Sequence, residues 1–256
     1  MTSNLFNLSG RRALVTGSSR GIGQAIALGL AEHGAAVAFH YVSREDEASK
    51  AARQAEEFGV RTTVVGGDVS QEGASRRMAE QAADQLGGPL DIVIANAAVE
   101  IRQPWDETAW SSGRQQFDAN MLGTLELLQA TIPSMVERKW GRVVTIGSVQ
   151  QVRPHPQLVV YAALKSALVN MVRNLALQLS RTGVTVNNIA PGAILTDRNA
   201  AVLSDPKYHE WAVERIPMGF VGEPVDCSGA VVLLCSEAGR YMTGVDLLVD
   251  GGMHLG

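Results

Sequence analysis

The sequence predicts an α/β fold, a seven-stranded and mostly parallel sheet with helices on both faces, and three observations predict it. Short β-branched runs alternate with longer Ala- and Leu-rich stretches through most of the 256 residues. A glycine-rich turn joins the first run to the first stretch. Small or polar residues, Gly17, Asp68, Asn96 and Ser148, stand just past successive strand ends. Such alternation covers both faces of a parallel sheet with helices, and sheets of this kind take ligands beyond the carboxyl ends of their strands.

A chain of this length fits one α/β domain over residues 1–256, with a large core. Hydrophobic residues make up 46%, charged residues 19%, and the net charge is -4. That balance gives no electrostatic reason to expect nucleic acid or an anionic membrane as a partner. No apolar run reaches spanning length, and Met1 to Gly10 lacks a charged-then-apolar leader pattern, so a cytoplasmic location is expected. Cys227 and Cys235 fall in one predicted helix, roughly 12 Å apart along its axis, and cannot bridge each other. His33, His40, His155, His209 and His254 show no ligand spacing, and no metal site is expected.

Taken in order, Arg12 to Thr16 reads as a buried strand, Gly17 to Gly23 (GSSRGIG) as a tight turn, and Gln24 to His33 as a helix closed by Gly34. Gly17, Gly21 and Gly23 let backbone approach a pyrophosphate, and the helix amino terminus offers N–H groups and a positive dipole end. The spacing is G-x-x-x-G-x-G rather than G-x-G-x-x-G, and a plain turn between strand and helix also needs glycine. The second strand, Ala36 to Tyr41, ends without the carboxylate that would bind ribose hydroxyls and repel a 2′-phosphate. Arg20 in the loop and Arg44 beyond Ser43 suit a 2′-phosphate, which favours NADP(H) and leaves NAD(H) possible. Arg44 also fits a solvated start to the next helix. Helix Glu45 to Phe58, strand Arg61 to Gly66, helix Gln71 to Leu86 and strand Asp91 to Ala95 continue the alternation. Asp68 is placed either to accept from an adenine amino group or to cap the helix that follows. A long helix is expected from Asp106 to Glu137.

The stretch from Ser148 to Lys165 carries the chemistry. Arg142 to Ile146 reads as a strand with Ser148 past its end, and Tyr161 opens a helix with Lys165 one turn on, on the same face. A free phenol has a pKa of roughly 10 and is a poor base near neutrality. A positive charge about 4 Å away at an effective dielectric of about 20 is worth about 4 kcal/mol, or about three pKa units. Tyr161 then becomes a general acid/base near neutral pH, with Ser148 to hydrogen-bond the reacting oxygen. Alone, Y-x-x-x-K also occurs by chance on ordinary helices. Val184 to Ile189 is a further strand, Glu223 to Ser236 a helix, and Val245 to Val249 a last strand. Between them, residues 195–218 read as an irregular segment, with Arg198, Asn199, Tyr208, His209, Trp211 and Arg215. It suits a lid over a substrate or a helical excursion packing Trp211 on the body.

With these residues in order, the chain resembles the short-chain dehydrogenase/reductase family over essentially its full length. The resemblance rests on Thr16-Gly17-x-x-x-Gly21-x-Gly23, Asp68-Val69, Asn96-Ala97, Asn120, Ser148, Tyr161-x-x-x-Lys165 and Pro191-Gly192. It implies a Rossmann-type NAD(P)-dependent oxidoreductase that interconverts a secondary alcohol and a ketone by hydride transfer. Tyr161 is then the general acid/base, Lys165 lowers its pKa and binds the nicotinamide ribose, and Asn120 anchors a water linking Lys165 to solvent. Ser19, Arg20 and Ile22 lie with the loop glycines at the cofactor, Asp68 and Val69 flank the adenine, and Asn96 stands at the sheet centre. Pro191, Gly192, Ile194 and Thr196 hold the nicotinamide. Two departures are local: Ala95-Asn96-Ala97-Ala98 replaces the family's Asn-Asn-Ala-Gly, and the stretch after Ser148 lacks a common glycine.

The polar set Gln150, Gln151, Arg153, His155 and Arg102 suggests a small polyol, sugar or sugar acid as substrate, with Ser148, Gln150 and Tyr161 touching it. A 3-oxoacyl thioester reductase or another carbonyl reductase of the family is the alternative. Epimerisation or dehydration through a transient ketone would keep the same site. A non-enzymatic dinucleotide-binding regulator would not need the acid/base set. The resemblance also implies a homotetramer.

Overall fold

The computed structural model describes residues 5–197 and 199–256, with 201, 202, 208 and 209 described by their backbone alone. Arg198 and the side chains of Tyr208 and His209 therefore lie outside the described residues. The β-branched runs form seven strands: β1 (Arg12–Val15), β2 (Ala36–Tyr41), β3 (Thr62–Gly66), β4 (Ile92–Ala95), β5 (Gly141–Ile146), β6 (Val184–Pro191) and β7 (Asp246–Val249). They lie in the order β3-β2-β1-β4-β5-β6-β7. The expected mostly parallel sheet is parallel at every pair. Strand order reverses direction between β1 and β4, which opens a crevice at their carboxyl ends. Every residue of β4 and β6 is buried, as strands covered on both faces require.

The helices are α1 (Gly21–Glu32), α2 (Glu45–Glu56), α3 (Ala74–Leu86), α4 (Trp110–Phe117), α5 (Gly123–Glu137), α6 (Val159–Leu179), α7 (Ala200–Leu203), α8 (Pro206–Val213) and α9 (Pro224–Cys235). One core packs Ile26 and Leu30 of α1 and Val231 of α9 against Phe39 of β2 and Ile94 of β4. The other packs Met78 of α3, Leu127 and Leu128 of α5 and Val172 of α6 against Val93 of β4 and Val143 of β5. Cys227 and Cys235 are buried and unbridged in α9, and burial pushes both thiols up to about 12, so neither is a nucleophile near neutrality. Among the described residues no helix is long and apolar enough to cross a membrane.

Three expected boundaries change. The helix expected from Asp106 to Glu137 is not continuous: Asp106 sits in a single 3-10 turn, Trp105–Glu107, and the α-helix begins at Trp110. Between α4 and α5 the ladder widens into a π turn over Asp118–Leu122, which contains Asn120. The helix expected from Gln71 starts instead at Ala74. Gly73 takes a left-handed φ of 79°, and the carboxylate of Glu126 on α5 accepts the N–H groups of Gly73 (2.7 Å) and Ser75 (3.0 Å). That capping comes from another helix and has no local signal. Within 195–218, α7 and α8 form, the second begun by Asp205, whose side chain accepts from Lys207 N–H, and by Pro206.

At Gly123 the helix passes so close to the segment after β3 that a Cβ would collide with the carbonyl of Val69. Gly123→Ala must therefore move backbone, and should lower stability by about 1–3 kcal/mol in urea unfolding.

Candidate active site

A cavity of about 450 Å³ opens along the carboxyl edge of the sheet. Gly17 after β1, Asn96 after β4, Ser148 after β5 and Gly192 after β6 all line it, as the strand-end rule requires.

The β1 side is the glycine loop. Gly17 and Gly21 have φ of 65° and 58°, conformations that side chains rarely adopt. A Cβ at Gly17 would stand 3.1 Å from Asn96 Nδ2, and one at Gly23 would collide with the Gly17 carbonyl. The loop leads into α1, whose amino terminus has no side-chain cap, so its first-turn N–H groups face the loop without a protein side chain as acceptor. Ser19, Arg20, Gly21, Ile22 and Gly23 line the cavity there. Uncapped N–H groups behind a left-handed glycine turn have the chemistry that a pyrophosphate requires.

Asn96 joins this loop to the rest of the site. Its Nδ2 donates to the carbonyls of Thr16 (2.8 Å) and Gly17 (3.0 Å). The Thr16 hydroxyl in return accepts the N–H groups of Asn96 (2.9 Å) and Ala97 (3.0 Å).

Beyond β2, Tyr41, Val42, Ser43 and Arg44 line the same cavity. Arg44 pairs with Glu47 at 2.5 Å and Arg20 with Asp197 at 3.3 Å, both on the surface. Such pairs are weak, and a phosphate competes with them for guanidinium. The Tyr41 phenol hydrogen-bonds Glu45, which pushes its pKa up. Tyr41 and Val42 were not singled out from the sequence, although their place at a strand tip was a signal.

On the β5 side, Ser148, Tyr161 and Lys165 line one wall. Ser148 caps a 3-10 turn, its Oγ accepting the Gln150 N–H at 3.2 Å. Tyr161 stands in the first turn of α6 with Lys165 one turn later, both buried. Lys165 Nζ donates to the carbonyl of Ile146 (2.7 Å) and lies 5.4 Å from the centre of the Tyr161 ring. A buried ammonium beside a phenol stabilises the phenolate. Pro191, Gly192, Ile194 and Thr196 complete this wall.

The remaining predicted residues stand behind the lining. Asp68 Oδ1 accepts from the N–H (3.0 Å) and hydroxyl (2.8 Å) of Ser70, and its carbonyl accepts the Gln71 N–H, so it shapes the turn before α3. Val69 is buried, its carbonyl against Gly123. Asn120 donates through Nδ2 to the carbonyls of Val99 and Gln116, both 2.8 Å, and accepts the Val99 N–H at 3.2 Å. It thereby fixes the segment leading from Ala97 and Ala98, which line the cavity.

Of the expected polar set, Gln150, Arg102 and His155 line the cavity and Arg153 and Gln151 do not. Gln151 turns inward, donating to both oxygens of Asp246 (2.8 and 2.6 Å). Asp246 also accepts from Asn188 (2.7 Å), whose Oδ1 accepts from Thr145 (2.6 Å). Glu100, unremarked in the sequence, also lines the cavity and pairs with Arg102 at 2.8 Å. Burial, then Arg102, lowers the His155 pKa, with Glu100 opposing. Among the described residues no cluster of three or more His, Cys, Asp or Glu could hold a metal.

The family model described as enoyl-(acyl carrier protein) reductase matches residues 17–254. The chain belongs to the short-chain dehydrogenase/reductase family. A relative, 3beta-hydroxysteroid dehydrogenase 1 of Eggerthella lenta, is 35% identical over 250 residues, 97% of this chain and 95% of the relative. The structure of an NADP-bound 3-oxoacyl (acyl-carrier-protein) reductase from Agrobacterium tumefaciens C58 matches with a TM-score of 0.93 at 38% identity, over 98% of this chain and 97% of that one. A gluconate 5-dehydrogenase from Burkholderia cenocepacia J2315, in complex with NADP and tartrate, matches with a TM-score of 0.92 at 32% identity, over 98% of each chain. As a short-chain dehydrogenase/reductase, the protein is a nicotinamide-dependent oxidoreductase acting on CH–OH groups.

Gln151 holds the turn that carries Ser148, and its loss leaves the Asp246 carboxylate short of two donated bonds. Gln151→Met, similar in shape, should lower stability by roughly 1–3 kcal/mol in urea unfolding.

Proposed function

We propose that the protein is one catalytic domain that oxidises a secondary alcohol, or reduces the matching ketone, on a small hydroxyl-rich or acidic substrate with NADP(H). The observation that carries this reading is that Ser148, Tyr161 and Lys165 line the same cavity as the glycine cradle and the Arg20 and Arg44 side chains. An NADP(H) held by that cradle at its pyrophosphate would supply or accept the hydride.

The protein's own residues do the rest. The Ser148 Oγ accepts from Gln150 N–H, which leaves its hydroxyl proton to donate to the substrate oxygen. Tyr161 takes the proton of that oxygen during oxidation and returns it during reduction. Lys165 keeps its charge next to the phenol, held by the Ile146 carbonyl, and so favours the basic form at neutral pH. Pro191, Gly192, Ile194 and Thr196 pack the nicotinamide, Ser43 and Arg44 receive the 2′-phosphate, and Gln150 contacts the substrate. Asn120 is a positioning residue that holds the segment after Asn96. Glu100, Arg102, Gln150 and His155 make the substrate wall polar, which favours a polyol, sugar or sugar acid over an acyl thioester or a steroid. The tartrate complex of the gluconate 5-dehydrogenase supports a small hydroxy acid.

A homotetramer is the assembly we infer. Exposed Trp110 and Phe117 on α4, Leu122 in the π turn and Val159 on α6 support a subunit contact there. A monomer in sedimentation at micromolar concentration would overturn it. We place the protein in the cytoplasm, where unbridged thiols are the rule.

Tyr161→Phe should lower turnover by about 10²–10⁴, the usual worth of a general acid/base, while NADPH binding stays within about threefold. The panel should hold aldonates, polyols, 3-hydroxysteroids and 3-oxoacyl thioesters, followed by the absorbance of reduced nicotinamide. Faster turnover of steroids or thioesters than of every hydroxy acid and polyol would sink the substrate class. Arg44→Ala should weaken NADPH about tenfold and leave NADH nearly unchanged, and equal losses for both would remove the case for NADP(H).

A further inference from the structure

His40 is completely buried at the end of β2, away from the reacting residues. Its Nδ1 lies 2.8 Å from the Gly17 N–H, which donates to it, and its Nε2 lies 2.8 Å from the Gly67 carbonyl. A backbone N–H needs an acceptor and a carbonyl needs a donor. Only the neutral imidazole with its proton on Nε2 satisfies both. The backbone around the ring is locked in the same way. His40 N–H donates to Ser18 Oγ (2.8 Å), Ser18 N–H to the His40 carbonyl (3.0 Å), and the Ser18 hydroxyl to the Val15 carbonyl (2.7 Å). On the other side of the first glycine, its carbonyl accepts from Asn96 Nδ2. Gly17 is thus held at its N–H by β2 and at its carbonyl by the residue after β4, in the left-handed conformation that starts the cradle.

We propose that His40 is a positioning residue for dinucleotide binding: as neutral imidazole it fixes the Gly17 peptide, and with it the glycine loop, in the shape that receives the pyrophosphate. This rests on the proposed reading of the cavity as an NADP(H) site. Protonation would put a donor on Nδ1 against the Gly17 N–H and so undo the clasp. Burial lowers the pKa of His40 from its ordinary value of 6.5. The bond to Gly67 and the charge of Asp68, which follows it after β3, oppose that shift in part. Among the described residues, β3 and residues 15–19 of the β1 end and loop have no titratable side chain, and Met78 packs at Gly67. Because the folded chain holds the ring neutral, this contribution is complete above pH 6.5 and is lost as the pH falls below that value towards the lower folded pKa.

Two near-isosteres separate the ring's contacts. His40→Asn keeps an acceptor, Oδ1, at the place of Nδ1, and His40→Gln keeps a donor at the place of Nε2 but no acceptor for Gly17. NADPH fluorescence titrations should give a Kd within about threefold of the parent for His40→Asn and about tenfold weaker for His40→Gln, since the buried Gly17 N–H then has no acceptor. On lowering the pH from about 7.5 to about 5, the parent should lose more stability in urea unfolding than His40→Asn, which has no ring to protonate. Equal affinity of parent and His40→Gln, equal weakening of both variants, or superimposable pH profiles for parent and His40→Asn would overturn the assignment. Should His40→Gln not fold, the pH comparison alone decides. Failure of the parent to bind NADPH at any of these pH values would instead remove the proposed cofactor.

Discussion

A single buried ammonium group constrains the working half of this molecule. Lys165 is almost fully shielded from water, where a charge is costly unless it is paired and hydrogen-bonded. The carbonyl of Ile146, the last residue of β5, accepts one of its protons, and the Tyr161 ring lies within 5.4 Å of its nitrogen. That carbonyl belongs to a strand end and the phenol to the first turn of the next helix. The charge therefore ties α6 to the carboxyl edge of the sheet at the place where Ser148 leaves β5. Helix start, strand end and the Tyr161 and Lys165 side chains are thus held together.

The other half of the cavity is held by neutral hydrogen bonds. Asn96 and Ala97 donate four bonds to Thr16 and Gly17 across the crevice between β1 and β4, and His40 reaches the same loop from β2. Under Ser148, the chain from Gln151 through Asp246 and Asn188 to Thr145 crosses β5, β6 and β7. The register of three parallel strands thus sets where the hydroxyl stands. Because both halves are anchored to the same sheet edge, the glycine loop and the wall of Ser148, Tyr161 and Lys165 are fixed relative to one another by strand pairing, and loop packing only finishes the geometry.

Electrostatics give the cavity its two characters. Toward β2, the guanidinium groups of Arg20 and Arg44 pair with the surface carboxylates of Asp197 and Glu47, and such exposed pairs are weak. Toward β5, Glu100, Arg102 and His155 form a polar wall in which burial keeps the imidazole neutral more readily than in water.

What the sequence determined by itself was whatever repeats along the chain. Strand and helix alternation, the glycine spacing at Gly17, Gly21 and Gly23, and the one-turn step from Tyr161 to Lys165 are local periodicities, and the sheet, the left-handed glycine loop and the placing of Tyr161 and Lys165 on one helix face follow from them. What only the tertiary structure decided depends on residues distant in sequence. Gln151 lies next to Gln150, yet one turns to Asp246 and the other lines the cavity. Asp68 serves its own turn, Asn120 stands one layer back in a π turn, and His40, scattered among five histidines, clasps a glycine 23 positions away. Their partners come from other strands and helices, so no pattern within a short window carries them, and only the folding of the sheet brings donor and acceptor together.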